Sequence, residues 1–420
     1  MKTYLLLLSV LGLLLATSPA WACTGLVVQD GERVLVGNNE DWFNPRTKIW
    51  FIQPVKERYG CIFFGFDNFW PQGGMNQKGL FFDGFALKPK PVEGAAGKPR
   101  FHGNLVKEMM ATCATVEEAL ALLERYNRSF MSQFQLLIAD AAGDAAIVEA
   151  EAVVRKQGAY QVVTNFRQSE TDPAAITCPR YRTARDMLET CGEDTLDCIR
   201  NILDATHQEK NALTLYSNIY DLKARRVRVY HFHNFQDPVV IDLEAALAAK
   251  TGVIDLPTLF PPNHAAQAFM DGYTRLAKAY VHEAAPRFTV RYPELYEADQ
   301  PLDASQVFLA WCRYGQVPAL TVDVTAAAAE MSLARVGGAV YAPKLRKFGD
   351  RVRLLSSRPA KLADGSEVYE TRISWRYEGR IHLNTLVLSA VRENKLINVA
   401  LHHTGELDYL QHIPYSLRFD

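Results

Sequence analysis

The stretch Ala20-Trp21-Ala22-Cys23-Thr24 decides how the rest of the chain is read. Upstream lie one lysine, Lys2, an apolar run from Tyr4 to Leu15, and small residues ending in Ala20-Trp21-Ala22. A basic start, an apolar centre and an A-x-A end define a secretory signal peptide, so residues 1–22 are expected to be removed and the mature protein to be secreted or periplasmic. A cut after Ala22 makes Cys23 the first residue. Its thiol is a nucleophile, and its new α-amine, with a reference pKa of about 7.7–8.0, is a base that is half neutral near working pH.

Three readings of Cys23 are open from this stretch. It is an ordinary secreted cysteine, a lipidated cysteine, or an N-terminal nucleophile. The lipid signal is poor, because the places three and two before the cysteine hold Ala20 and the bulky Trp21.

The remaining length of about 400 residues exceeds one ordinary core, so two domains are expected. A hydrophobic content of 48% with 22% charged residues is that of a folded protein, and a net charge of −1 gives no reason to expect a nucleic acid partner. No later apolar run reaches the length of a membrane span, so no transmembrane segment is expected after signal cleavage. Seven cysteines in an exported chain predict pairing with at least one thiol left over. Cys178, Cys191 and Cys198 lie close together, and any two of them are candidates to pair.

From Thr24 the chain reads as a hairpin around Asp30-Gly31, and its second strand runs into Gly37-Asn38-Asn39-Glu40-Asp41-Trp42. A returning strand brings a carboxylate back to the nucleophile's end, and Asp41 is the best placed to hold the new amine. The alternative is that Asn38 to Asp41 form a polar turn. Strands follow at Ile49–Ile52, Cys61–Phe66 and Gly79–Phe82, then helices at Asn104–Cys113 and Thr115–Tyr126, where Thr115 and Glu118 make a capping box. Further strands (Gln135–Ala139, Ala145–Glu149, Tyr160–Phe166), helices from Arg180 and Asp194, and two closing strands (Thr214–Tyr220, Arg226–Phe232) complete an α+β layered pattern. The aromatics from Phe63 to Trp70 and Phe81 to Phe85 read first as core packing and second as the lining of an apolar acyl pocket. His231 and His233 alternate onto one face of a strand, but no neighbouring ligand completes a set, so neither metal nor cofactor is expected.

Together these pieces resemble the choloylglycine hydrolase and penicillin V acylase group of N-terminal-nucleophile amidases. The likeness rests on Cys23-Thr24, Gly37-x-Asn39-x-Asp41-Trp42, Gly74-Met75-Asn76-Gln77-Lys78-Gly79-Leu80, Thr164-Asn165 and Arg180-Tyr181, over about Cys23 to Phe235. It implies a four-layer αββα sandwich over residues 23–240 that cleaves a linear carbon–nitrogen amide bond. In that reading Cys23 is nucleophile and base, Asp41 holds the amine, Asn165 lies near the oxyanion or substrate, and Arg180 is a catalytic or structural arginine. The implied partner is a small amide with an apolar acyl group. Two departures stand out. Asn38 occupies the place of the group's arginine, leaving Arg180, Arg46 or Lys48 to substitute for it, and Ala86 occupies the place of a further asparagine, which leaves a backbone N–H as oxyanion donor. Transfer of the acyl group to an amine, or a binding protein without turnover, are the alternatives.

Residues 241–285 read as a linker and one amphipathic helix, Asn263–Ala284. Residues 286–420 weakly resemble the small α/β/α sandwich of PsbP- and Mog1-like domains, from the opening Phe288-x-Val290-x-Tyr292-Pro293 and the closing Ser416-Leu417-x-Phe419. His402-His403 adjoin on opposite faces of a strand and make a poor metal pair. This half reads as an accessory domain.

Overall fold

The structure is a computed structural model. It describes residues 23–92, 97–209, 212–313, 318–328, 331, 336, 343, 351–377 and 381–420. The expected signal peptide, residues 1–22, lies outside the described residues.

Two antiparallel sheets form the first half. The chain opens with β1 (Thr24–Asp30), β2 (Arg33–Trp42), β3 (Thr47–Ile52), β4 (Cys61–Phe66), β5 (Pro71–Asn76) and β6 (Phe81–Ala86). Helices α1 (Leu105–Thr112) and α2 (Val116–Glu124) follow, then β7 (Phe134–Ala139), β8 (Ala145–Val148), β9 (Val153–Arg155) and β10 (Tyr160–Val163). After α3 (Pro179–Glu189) and α4 (Thr195–Thr206) come β11 (Leu213–Asp221), β12 (Arg226–His231), β13 (Asn234–Asp242), α5 (Leu243–Ala248) and β14 (Val253–Asp255). One sheet runs β10-β1-β2-β11-β12-β13, and the other β14-β3-β4-β5-β6-β7-β8-β9.

Side-chain alternation turns these sheets into four layers. On β1 and β2, Val27, Val34 and Val36 face the other sheet and join one core with Ile49, Ile62, Phe64, Phe81 and Phe85. Their neighbours Leu26, Val28 and Leu35 point the other way and pack under Leu188 of α3 and Ile199, Ile202 and Leu203 of α4. The second sheet does the same, setting Phe63, Phe82, Leu136 and Ile138 against Met109, Met110, Val116 and Leu123 of α1 and α2. The order is helices, sheet, sheet, helices. Gly37 lets α4 approach, since a Cβ there would stand 2.6 Å from Ile199. Of the first-half aromatics expected to be core, Phe63, Phe64, Phe66, Phe81, Phe82 and Phe85 are buried, whereas Phe69 and Trp70 are exposed at the β4–β5 turn.

The segment read as a linker contributes structure of its own. Its β14 adds an eighth strand beside β3, with Val253 opposite Trp50 and Asp255 opposite Lys48. The long helix expected there is shorter. Helix α6 covers His264–Thr274, and the chain then turns extended as β15 (Leu276–His282), pairing with β16 (Phe288–Pro293). The i, i+4 spacing of Leu276 and Tyr280 fits helix or alternating strand, and tertiary pairing decides for the strand.

The second half continues with β17 (Tyr296–Asp299), β18 (Gln306–Cys312), β19 (Pro318–Ala326), β20 (Arg353–Lys361), β21 (Glu367–Tyr377), β22 (Ile381–Arg392), β23 (Lys395–His403) and β24 (Arg418–Phe419). Seven of these form one antiparallel sheet in the order β17-β18-β19-β23-β22-β21-β20. Strands β22 and β23 form a hairpin over Arg392-Glu393-Asn394-Lys395, with Arg392 opposite Lys395. The two halves meet at Asp67. Its buried carboxylate accepts from Asn44 Nδ2 at 2.8 Å and from the Glu406 N–H at 3.1 Å, with Arg46 3.7 Å away.

Candidate active site

Cys23 stands immediately before β1, one residue ahead of the Thr24–Asn39 pair that starts the β1–β2 ladder. It is buried at 6% exposure and belongs to the core between the sheets. Arg180 reaches it from the first turn of α3, donating to the Cys23 carbonyl and, at 3.1 Å, to Thr24 Oγ1. The same guanidinium donates to Asn165 Oδ1 at 3.2 Å, and Asn165 Nδ2 donates to the Ala86 carbonyl at 2.9 Å. Asn165 therefore has one amide hydrogen held by Ala86, the residue standing in place of the further asparagine, and a second hydrogen left to give.

Asp41 lies near the end of β2. The β2–β11 register slips by one residue between Thr214 and Tyr216, so Thr214 stands opposite Asp41 and Tyr216 opposite Glu40. A bulge of this kind re-aims a side chain; here Thr214 Oγ1 donates to Asp41 Oδ1. The other oxygen, Oδ2, is buried without a partner. Burial pushes the Asp41 carboxyl up to about 8, against the pull of Arg180 and the Thr214 hydrogen bond. Burial also raises the Cys23 thiol, helped by the carboxylates of Glu40 and Asp41, so the thiolate is disfavoured while Cys23 carries an amide nitrogen.

The structure thus brings Cys23, Asp41, Asn165 and Arg180 into one place. Of the three cations weighed against the missing arginine, Arg180 reaches Cys23. Arg46 is committed to Asp67 and the Tyr409 ring, and Lys48 to Asp255.

Two of the motif pieces are scaffold. Asn39 donates to the Leu203 carbonyl at 2.8 Å and accepts from Ser217 at 2.6 Å, tying β2 to the end of α4 and to β11. Asn76 donates to the Met110 and Cys113 carbonyls, each at 2.8 Å, and accepts from the Lys78 and Leu80 N–H groups. It ties the β5–β6 turn to the end of α1, supplying partners that a helix terminus lacks.

Sequence reasoning missed the polar groups behind the thiol. Glu40 on β2 and Asp83 on β6 face each other between the sheets, with Tyr216 and Tyr220 of β11 against them. Both carboxyls are raised well above the usual range by burial, and Glu40 further by Asp83 and Asp41. Glu40 Oε2, both Asp83 oxygens and the Tyr216 hydroxyl have no hydrogen-bond partner. The signal was in the strands, where Glu40 and Asp83 occupy inward positions that alternation reserves for apolar residues. Thr214 left no signal, because the bulge that aims it is a property of pairing.

Cysteine pairing is settled for one candidate pair, Cys191 with Cys198, which links the end of α3 to α4. Cys23, Cys61, Cys113 and Cys178 are free thiols. His231 and His233 do not share the strand face that their alternation implies. His231 stacks on Phe260, while Phe232 and His233 form the two-residue β12–β13 turn, both at positive φ, which turns His233 towards His207. Burial brings both His231 and His233 down to about 4.

Residues 28–236 match the model of the family described as acyl-coenzyme A:6-aminopenicillanic acid acyl-transferase. With the αββα layering, the first half of the chain thus resembles the N-terminal-nucleophile acylase and acyltransferase group. Among solved structures, penicillin V acylase from Agrobacterium tumefaciens is similar at 18% identity and a TM-score of 0.46, covering 56% of this chain and 92% of its own. A variant of conjugated bile acid hydrolase from Clostridium perfringens is similar at 17% identity and a TM-score of 0.44, covering 58% of this chain and 99% of its own. Cyanobacterial PsbP from Synechocystis sp. PCC 6803 covers 34% of this chain and 92% of its own, at 14% identity and a TM-score of 0.28. No curated protein sequence matches the chain. Among the described residues no helix is long and apolar enough to cross a membrane.

Proposed function

We propose that the protein is an exported cysteine N-terminal-nucleophile amidase that cleaves a linear carbon–nitrogen amide bond through an acyl-enzyme on Cys23. The observation that carries this reading is the meeting of Cys23, Asp41, Arg180 and Asn165 at the head of β1.

Cleavage after Ala22 turns the Cys23 nitrogen from an amide into an amine. The amine takes the thiol proton, and the resulting ammonium has a waiting partner in Asp41 Oδ2, the buried oxygen left open when Thr214 holds Oδ1. That pair offsets the burial opposing both charges. The thiolate attacks the substrate carbonyl carbon, and the carbonyl electron pair moves to oxygen. Donors for that oxygen are the second Asn165 amide hydrogen and a backbone N–H, in a site where charge-aimed donors act at low dielectric. The tetrahedral intermediate collapses as the Cys23 ammonium protonates the leaving nitrogen, and the amine leaves. Water, activated by the same α-amine, then releases the acid and restores the thiol.

A second reading draws on the description of the matching family, an acyl-transferase. In it an amine nucleophile replaces water in the last step.

The test has two parts. Intact mass of protein exported from a native-like host reports whether the chain starts at unmodified Cys23. A panel of acyl amides, read for free acid with and without added acceptor amines, then reports turnover and the fate of the acyl group. A start elsewhere, a lipid on the sulfur, or no turnover across the panel would overturn the proposal.

A further inference from the structure

A second cluster of ligating groups lies beyond α4, outside the site at Cys23. His207 follows the last residue of α4, and its Nδ1 faces the Asp204 carbonyl in that helix's final turn. A helix end leaves such carbonyls without partners, so Nδ1–H is the natural donor and Nε2 keeps its lone pair. Nε2 lies 3.2 Å from Glu209 Oε1. At that distance the two atoms are joined either by a proton on Nε2 or by a metal cation that both ligate.

His233 completes the set from another element. The β12–β13 turn sets its ring against His207 with centroids 4.6 Å apart, and its Nδ1 stands 3.9 Å from Glu209 Oε1. Its Nε2 is buried and has no hydrogen-bond partner. One ligand atom from each of His207, Glu209 and His233 lies within 4.8 Å of the others. A plain His207–Glu209 ion pair accounts for two of these groups and leaves His233 Nε2 without a partner.

We propose that His207, Glu209 and His233 bind a zinc ion, with water in the fourth position. Two imidazoles and one carboxylate are a ligand set zinc accepts, and an orienting carbonyl behind one ring is its usual support. The spacing hid this site from sequence reading, because His207-x-Glu209 and His233 belong to elements joined only by the β11–β12 hairpin. The site also has a route to the chemistry. Gln208, between two of the ligands, donates its N–H to Thr214 Oγ1 at 2.8 Å and accepts the Thr214 N–H at 2.9 Å. Thr214 is the residue that holds Asp41. A metal that fixes Gln208 therefore fixes the donor that orients Asp41.

The experiment uses the full processed chain, stripped with a chelator and titrated with zinc by calorimetry, then with cobalt(II) by absorption. The expected result is one zinc per chain and cobalt d–d bands without a thiolate charge-transfer band, which separates this site from the free cysteines. Glu209→Gln changes an exposed side chain and leaves the fold intact, and His233→Gln is its partner variant. Each is expected to weaken zinc binding at least about tenfold. Absence of stoichiometric binding, unchanged affinity in both variants, or a thiolate band would overturn the proposal. None of these readouts depends on amidase turnover.

Discussion

Glu370 in the second half and the Glu40–Asp83 pair in the first are buried to a similar degree, with Glu370 and Asp83 at 1% exposure and Glu40 at 2%, yet they are in opposite states. Glu370 accepts from Tyr415 at 2.6 Å and is flanked by Arg372 at 3.2 Å and Arg358 at 3.1 Å. The hydroxyl and the two guanidinium groups outweigh its burial and hold its carboxyl below the usual range. Glu40 and Asp83 meet each other and two tyrosine rings, and their carboxyls are pushed up. Where a sheet needs only to hold together, a buried charge is fully partnered. Beside Cys23 the fold tolerates unpartnered acids, the pattern expected where local stability is given up for chemistry.

The largest expected effect tests which of the two regions is chemical. Cys23→Ala should lower turnover by about 10⁴-fold or more, the usual consequence of removing a nucleophile. Its unfolding midpoint should stay the same or rise, since a buried thiol among carboxylates is replaced by a methyl group. Retained turnover would break the comparison at its root. The next effect lies in the other region. Glu370→Ala leaves Arg372 with Asp408 as its one carboxylate and takes the buried acceptor from Tyr415 and Arg358, and it should cost about 3 kcal/mol in chemical denaturation. Asp83→Asn, by contrast, replaces an unpartnered, proton-holding acid by an amide of the same shape and should cost little or stabilise. Equal losses in the two variants would show that the Glu40–Asp83 pair is structural after all.

Much of the layering was legible, and the reason is alternation. Val34, Val36 and Leu35 assign the two faces of β2 without any tertiary information. Cys23, Asp41, Asn165 and Arg180 were legible as a set through their motif neighbours, although two of those neighbours, Asn39 and Asn76, turn out to hold helix ends. What was illegible depends on pairing between distant strands. Thr214 faces Asp41 because of a one-residue slip in β11, and Glu40 meets Asp83 because β2 and β6 lie in facing sheets. The His231–His233 reading failed for the same reason, since alternation stops where the β12–β13 turn begins at Phe232.

Acid and base should act oppositely on the two regions. Glu40 and Asp83 hold protons to higher pH than they do unfolded, where their ordinary values are 4.5 and 3.8. Above about pH 4 the folded state then binds more protons than the unfolded state, so stability falls as pH rises towards the raised values, by up to about 1.4 kcal/mol per pH unit for each group. Glu370 is lowered from 4.5, so its contribution is present above that value and is lost as pH falls through its folded one. Urea unfolding of wild type and Glu40→Gln/Asp83→Asn between about pH 5 and pH 8, above the unfolded values, should show a falling wild-type curve and a flatter variant. Parallel curves would mean that the pair does not hold its protons.

The smallest effect probes the hinge between the site at Cys23 and the loop beyond α4. Thr214→Val keeps the shape of a buried side chain but removes both the donor to Asp41 and the acceptor for the Gln208 N–H. One hydrogen bond to a charged group is at stake, so kcat should fall about tenfold, or about 1.4 kcal/mol, with KM little changed. The pH profile carries the sharper signature. The Thr214 hydroxyl favours ionised Asp41, so without it the carboxyl holds its proton to higher pH and the acid limb of kcat should move upward. A loss of rate without that movement would mean that Thr214 acts on the strand's position and not on the charge of Asp41.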